Sequence, residues 1–267
     1  MLKCTKTECL NRGNLVIDAN VIRYVLGGTI DLISETKAKN TWLEKLPDVQ
    51  TCLGDHLDLI KKCSQDGHLY VSEMVWFEEL NINKLRDSAH PKTLSNSVYD
   101  NKEIEILHRF IQSYVNIKSD ISLAEINEFR KLISANGCQL NDHDSSLMLV
   151  AYKLAQTGIN SILVSDDPDF TKPWEMLANL ANFSLQNNNY RTDMLLLYTY
   201  ATFITRFHDC CSCPSDKYRA LFNAWFYPLV NRQITKMGQG GKENVMKRIE
   251  EAMNAKDTSL QYKPKPA

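Results

Sequence analysis

The chain has 267 residues, 43% of them hydrophobic and 24% charged, and its formal net charge is −1. No apolar run approaches the roughly 18 residues that cross a bilayer, and the small net charge argues against general electrostatic affinity for nucleic acid. The first dozen residues lack the apolar core of a secretion signal. We therefore expect a cytoplasmic protein without membrane association, whose eight cysteines are reduced rather than paired.

Short apolar runs alternate with helical stretches over the first 190 residues or so. The pattern predicts strands at 15–20, 68–72, 113–118, 161–165 and 183–186. It predicts helices at about 21–33, 52–65, 122–135, 144–157 and 174–180, and a further one after Ser72, which would cap it. Such alternation implies right-handed crossovers and a mainly parallel sheet flanked by helices, the α/β class.

Beyond residue 190 the pattern becomes helical, with helices predicted at 191–207, 216–236 and 242–255. We therefore divide the chain into an α/β domain at 1–188, a helical extension at 189–258 and a flexible tail at 259–267. Residues 206–267 hold 11 Lys and Arg against 6 Asp and Glu. This basic end could steer RNA toward an acidic site, or it could be an ordinary solvated surface.

Acidic residues stand at the ends of several apolar runs. They are Asp18 in LVIDAN, Glu78 in SEMVWFEEL, Asp144 in DHDSSLMLVA, and Asp167 and Asp169 in LVSDDPDF. Carboxylates beside apolar strands need compensation, and hard cations such as Mg²⁺ or Mn²⁺ supply it through oxygen ligands. Taken singly, Asp18 could be only a strand-end residue and Asp144 only a helix cap. Taken together, the acids predict a divalent-metal site at the carboxyl edge of the sheet.

The same acids, in this order, resemble the motifs of PIN-domain nucleases, which include the VapC-type toxins of toxin–antitoxin pairs. The resemblance spans roughly residues 14–187. It consists of a hydrophobic-Asp-x-Asn strand end at Asp18, a Glu six residues after Ser72, an Asp seven residues before Ala151, and Ser-x-Asp-x-Asp-Phe from Ser165. Glu79 is the fallback for Glu78.

The resemblance implies a PIN-like fold and a metal-dependent endoribonuclease. Catalysis would fall to Asp18, Glu78, Asp144 and Asp167, and Asp169 would join them as a metal ligand for Mg²⁺ or Mn²⁺. Supporting roles around the metal would fall to Asn20, Asp142 and Ser165. The implied partners are an RNA substrate, with tRNA among the candidates, and an inhibitory or recruiting protein. The family's roles range over toxin, defence and RNA processing, and a homodimer is an open option because the toxins are often dimers.

Other interpretations stay open at this point. A PIN-like scaffold that binds RNA or protein without catalysis would keep the acidic pocket and recruit partners through its aromatic carboxyl-terminal helices. A phosphatase is disfavoured, because its second Asp would stand where Asn20 does. A structural zinc ion at the cysteine cluster 208–213, or with Cys4 and Cys9, is also disfavoured, because neither spacing is the CxxC of common zinc sites.

Overall fold

Five parallel strands form the sheet of this computed structural model, which describes residues 13–36, 42–88, 101–158, 160–165, 167–176 and 195–198. The strands are β1 Gly13–Ile17, β2 Ser64–Ser72, β3 Val115–Lys118, β4 Asn160–Val164 and β5 Leu195–Tyr198. They lie in the order β3-β2-β1-β4-β5. The predicted α/β class with a parallel sheet flanked by helices is confirmed.

Six α-helices belong to the described part of the chain. They are α1 Ala19–Thr36, α2 Trp42–Lys61, α3 Ile82–Ser88, α4 Asn101–Gln112, α5 Leu123–Ala135 and α6 Asp142–Gln156. A π-helical turn at Val75–Glu79 follows β2, and a 3-10 turn at Pro168–Phe170 follows β4 and leads into helical residues 171–176. None of the described helices is long and apolar enough to cross a membrane.

The helices fall into two groups. Helices α1 to α4 pack against one another, whereas α5 packs on α6, and α6 also contacts β1, β2 and β4. Strand order reverses between β1 and β4, and crossovers between parallel strands are right-handed, so the two groups cover opposite faces of the sheet. The central strands are accordingly apolar throughout, and Leu15, Val16, Ile162, Leu163 and Val164 are all fully buried.

Strand β1 lies close against β4. A methyl group added at Gly13 would meet the carbonyl oxygen of Asn160 at 2.6 Å. The β1–β4 pairing runs from Gly13 to Ile17, which lies opposite Val164, and Asp18 N extends it by donating to Val164 O at 3.1 Å. This ladder fixes the direction in which Asp18 leaves the sheet.

Several element boundaries differ from those predicted. Strand β2 begins at Ser64 rather than at residue 68, because Ser64 pairs with Gly13 and its hydroxyl accepts a hydrogen bond from Leu15 N at 3.2 Å. Helix α6 begins two residues earlier than predicted, since Asn141 is its N-cap. Helices α3 and α4 were not predicted. The helical pattern of α4 is nevertheless present in the sequence, since Ile104, Leu107 and Ile111 are fully buried at helical spacing.

The helix predicted at 191–207 is wrong at residues 195–198. Residues Leu195–Tyr198 instead form β5, which pairs in parallel with β4 from Ser161 to Val164. The sheet therefore includes residues beyond 188, and the predicted helical extension contains at least one strand. The predicted strand 183–186, the helices 216–236 and 242–255, and the tail 259–267 lie outside the described residues.

Candidate functional site

Three chain segments deliver aspartates to one end of the sheet. Asp18 directly follows β1, Asp167 lies three residues after β4, and Asp144 lies in the first turn of α6, which packs against both strands. Strand order reverses between β1 and β4, and the crevice at such a reversal is where open α/β sheets bind their ligands. We call the group formed by Asp18, Asp144, Asp167 and Asp169 the aspartate cluster.

Asp18 is the most buried member of the aspartate cluster, with 6% of its surface exposed. Ser165 Oγ donates to its Oδ2 at 2.6 Å, and the backbone N and Nδ2 of Asn20 donate to its two oxygens at 3.4 Å each. Burial raises the pKa of Asp18, and these hydrogen bonds offset only part of the effect. The structure thus places Asn20 and Ser165 against Asp18, where the sequence predicts supporting roles for them.

Asp144 carries the clearest electrostatic mark of the aspartate cluster. Burial and then the charges of Asp18, Asp167 and Asp169 raise its pKa to about 7, and nearby His143 works against the rise. The carboxylates are therefore near enough to repel one another. Near neutral pH a substantial fraction of Asp144 is protonated.

Asp144 is held in place by the N-cap of its helix. Asn141 Oδ1 accepts from Asp144 N at 2.8 Å, and Asn141 Nδ2 donates to Asp144 Oδ2 at 2.8 Å. Asn141, not Asp144, is the capping residue, so the interpretation of Asp144 as only a cap is wrong. Its carboxylate is available to the crevice.

Asp167 and Asp169 are fixed by the turn after β4. Asp167 N donates to Ser165 Oγ at 3.1 Å, and Asp169 N donates to Asp167 Oδ1 at 2.9 Å. Phe170, which follows, is fully buried and anchors the 3-10 turn in the core. Ser165 therefore contacts both Asp18 and the backbone of Asp167 and ties the ends of β1 and β4 together.

Glu78 is paired with His143, the residue next to Asp144. Its Oε2 is 2.7 Å from His143 Nε2, and 59% of its side chain is exposed. The fallback residue Glu79 is also paired: its Oε2 is 2.7 Å from Arg23 Nη2 and 3.7 Å from Lys84 Nζ. Asp142, for which the resemblance implies a supporting role, pairs with Arg130 at 2.5 Å.

The aspartate cluster fits a hard divalent cation by its chemistry. All its donors are carboxylate oxygens, and their repulsion is what a cation would relieve. The fit in distance is incomplete, since no group of three His, Cys, Asp or Glu side chains within the described ranges lies close enough to hold a metal ion. Binding would require the carboxylates to move closer together.

The contacts of two side chains near the aspartate cluster, His143 and Arg130, were not predicted. His143 contacts Glu78 at 2.7 Å and Glu79 at 3.9 Å. Arg130 pairs with Asp142 across the α5–α6 connection. The position of His143 between two acids was the available signal, whereas nothing in the sequence near Arg130 pointed to it.

Other predicted features fall outside the described residues. These are the cysteine cluster 208–213, the pair Cys4 and Cys9, and the aromatic stretch 216–236. The zinc, RNA-steering and partner-binding hypotheses for this part of the chain stay predictions, as does the homodimer. Comparisons of the chain with known protein families, with curated proteins and with solved structures gave no match.

Proposed function

We propose that this protein is a divalent-metal-dependent endoribonuclease with a PIN-like domain. The observation that carries the proposal is the convergence of carboxylates from three chain segments at the strand-order reversal, with the pKa of Asp144 raised to about 7 by its neighbours. Functional sites are where such uncompensated charge is kept in folded proteins. The motif order of the PIN-domain nucleases supports the same reaction, which leaves 5′-phosphate and 3′-hydroxyl ends.

Each residue of the site has a part in this proposal. The aspartate cluster would hold Mg²⁺ or Mn²⁺, which when bound activates water and neutralises the leaving oxygen. Ser165 keeps Asp18 and the Asp167 backbone in register. Asn20 donates to both oxygens of Asp18 and so limits how that carboxylate can rotate. Glu78 would have to exchange its partner His143 to become a metal ligand.

The first test is cleavage of an RNA panel, including tRNA and an unstructured oligonucleotide, in Mn²⁺, Mg²⁺ or EDTA. Asp18→Asn is compared with the wild type, and Asp58→Asn, on the exposed side of α2, is the matched control. We expect metal-dependent cutting by the wild type and by Asp58→Asn, and none by Asp18→Asn. Cutting that survives EDTA, or that Asp18→Asn retains, would contradict the proposal.

A second test measures the metal without any substrate. A ligand that binds only the folded state at a concentration 100 times its Kd stabilises it by about 2.7 kcal/mol. Mn²⁺ should therefore raise the Tm of the wild type and of Asp58→Asn, but not that of Asp18→Asn. The shift should shrink as the pH falls below 7, because Asp144 must lose its proton to bind.

One observation favours the alternative, a PIN-like scaffold that binds RNA or protein without cutting. The carboxylate of Glu78, to which the resemblance assigns a catalytic role, is paired with His143 at 2.7 Å. Calorimetric titration with Mn²⁺ beside the nuclease assay separates the two functions. Metal or RNA binding without turnover on any member of the panel would select the scaffold.

A further inference from the structure

A pocket of about 500 Å³ opens beside the aspartate cluster. Two members of the cluster contribute to its wall, so the pocket is continuous with the crevice where the proposed reaction takes place. The remaining wall comes from the end of α5 and from the α5–α6 connection. The lining residues are Arg130, Ser134, Gln139, Leu140, Asn141, Asp144 and Asp169.

The end of α5 gives the pocket a defined shape. Gly137 has a φ of +74°. Its N–H bonds to Ser134 O at 3.0 Å, and Cys138 N bonds to Ile133 O at 3.1 Å. This pair of hydrogen bonds is a Schellman motif, which needs a left-handed residue and therefore favours glycine. The chain then turns back toward the N-cap of α6 and encloses the pocket.

Arg130 is immobilised in the pocket wall. Its Nε donates to Leu140 O at 3.1 Å, and its Nη1 pairs with Asp142 Oδ1 at 2.5 Å. Its Nη2 has no hydrogen bond to any residue that the structure describes. Gln139 and Ser134 are exposed, and their side chains likewise make no hydrogen bond within the described ranges. The pocket thus offers a fixed guanidinium edge, an amide and a hydroxyl to a ligand.

The charges of the wall decide what kind of ligand fits. Asp144 and Asp169 repel an anion, and the charge of Arg130 is already balanced by Asp142. A phosphate is therefore disfavoured in the pocket, whereas a neutral group with several donors and acceptors is favoured. The volume lies within the range of small-molecule sites, roughly 300–1,000 Å³.

We infer that this pocket binds the base of the nucleotide next to the cleaved phosphodiester in single-stranded RNA. The inference rests on the proposed nuclease function and adds the origin of base selectivity. A base in an intact duplex is paired and stacked and cannot enter such a pocket, whereas an unpaired base presents its edge to amides, hydroxyls and guanidinium planes. Arg130, Ser134 and Gln139 are the residues that distinguish one base from another.

Two pocket variants and two matched controls test the inference. Ser134→Phe fills the pocket from an exposed helical position, and Ala124→Phe adds the same ring about 15 Å away on α5. Gln139→Ala removes one amide, and Gln156→Ala removes an exposed amide at the far end of α6. The Tm of each variant verifies that it folds.

Cleavage and binding are measured separately. The kcat/KM is compared on four short RNAs that differ only in the base beside the mapped cleavage position. Binding of the same RNAs is followed by fluorescence anisotropy in the Asp18→Asn background. We expect Ser134→Phe to weaken binding about tenfold and Gln139→Ala to reduce the preference among the four RNAs about threefold to tenfold, with no change in the controls.

The outcomes separate this inference from the nuclease proposal. RNA cleavage with unchanged affinity and base preference in both pocket variants would overturn the pocket and leave the nuclease standing. RNA binding that is lost only in the pocket variants, without cutting by any protein, would support the pocket and reject the nuclease. The absence of both cutting and RNA binding would reject both.

Discussion

Two groups of acids lie after neighbouring strands of the same sheet, and they are treated in opposite ways. The glutamates of the π-helical turn after β2 are paired, since Glu79 faces Arg23 and Lys84 and Glu78 lies 2.7 Å from His143. The aspartate cluster after β1 and β4 receives hydrogen bonds from Ser165, Asn20 and Asn141, but no Lys or Arg of the described residues forms an ion pair with it. One group is paired with Arg, Lys and His side chains, and the other receives, within the described ranges, only hydrogen bonds from neutral groups.

The difference indicates that the aspartate cluster lowers the stability of the folded protein. Burial and mutual repulsion raise the pKa values of Asp18 and Asp144, so ionising them works against folding. Elsewhere the protein does pair an acid with a largely buried base, since Arg23, whose side chain is only 11% exposed, lies 2.7 Å from Glu79. Carboxylates without a basic partner, close to acids that have one, are typical of a site that binds a cation from solution.

The largest expected effect contrasts catalysis in the two groups. Asp167→Asn should lower kcat for RNA cleavage at least about 100-fold, because it removes a charge from the aspartate cluster. Glu78→Gln should lower it no more than about tenfold, because that carboxylate is occupied by His143. Steady-state kinetics in saturating Mn²⁺ measure both. Equal losses would mean that Glu78 leaves His143 to join the cluster.

The next effect concerns the contribution of the Arg23–Glu79 pair to the stability of the protein. Arg23 Nη2 donates to both the carbonyl and the carboxylate of Glu79. Arg23→Met removes both hydrogen bonds and leaves the carboxylate with only its longer contacts to Lys84 and His143. We expect the free energy of unfolding to fall by about 2 kcal/mol, from urea denaturation. Arg109→Met, at an exposed position of α4, is the control and should change it by less than about 0.5 kcal/mol. A similar small change at Arg23 would show that this pairing contributes little.

At the aspartate cluster we expect the opposite result: a substitution there should stabilise the protein, by an amount that depends on pH. The folded-state pKa of Asp144 is about 7 and its unfolded value 3.8, so the folded state binds more protons between them and loses stability as the pH rises through this window. Asp144→Asn removes the penalty and can keep the hydrogen bond from Asn141. In metal-free buffer its Tm should exceed that of the wild type by a few degrees at pH 8 and converge with it toward pH 4. A Tm difference that stays constant with pH would contradict the raised pKa of Asp144.

The sequence predicted the parts of this comparison that depend on local pattern. Strands β1 and β4 are short apolar runs buried on both faces, and the residues after them must emerge at the sheet edge. The placement of Asp18 and Asp167 followed from that. Strand β5 was mistaken for helix because the run MLLLYTYATF is apolar at almost every position, and periodicity cannot separate helix from strand in such a run.

The part that could not be predicted depends on contacts distant in the sequence. Glu78 and His143 are 65 residues apart, and their pairing depends on how α6 packs against the π-helical turn. That turn closes i to i+5 hydrogen bonds, as Leu80 N to Val75 O at 3.0 Å shows, and so directs Glu78 differently from an α-helix. The six-residue spacing from Ser72 to Glu78 does not predict the direction in which the Glu78 side chain points.

The smallest expected effect tests whether the Glu78–His143 pair is held for stability. Because 59% of the Glu78 side chain and 27% of the His143 side chain are exposed, their attraction is screened by water and salt. A double-mutant cycle with Glu78→Gln and His143→Gln should give a coupling energy below about 1 kcal/mol, which decreases further in high salt. A coupling well above this value would mean that the pair is a structural clamp. A small one would mean that the pair contributes little to the stability of the folded protein.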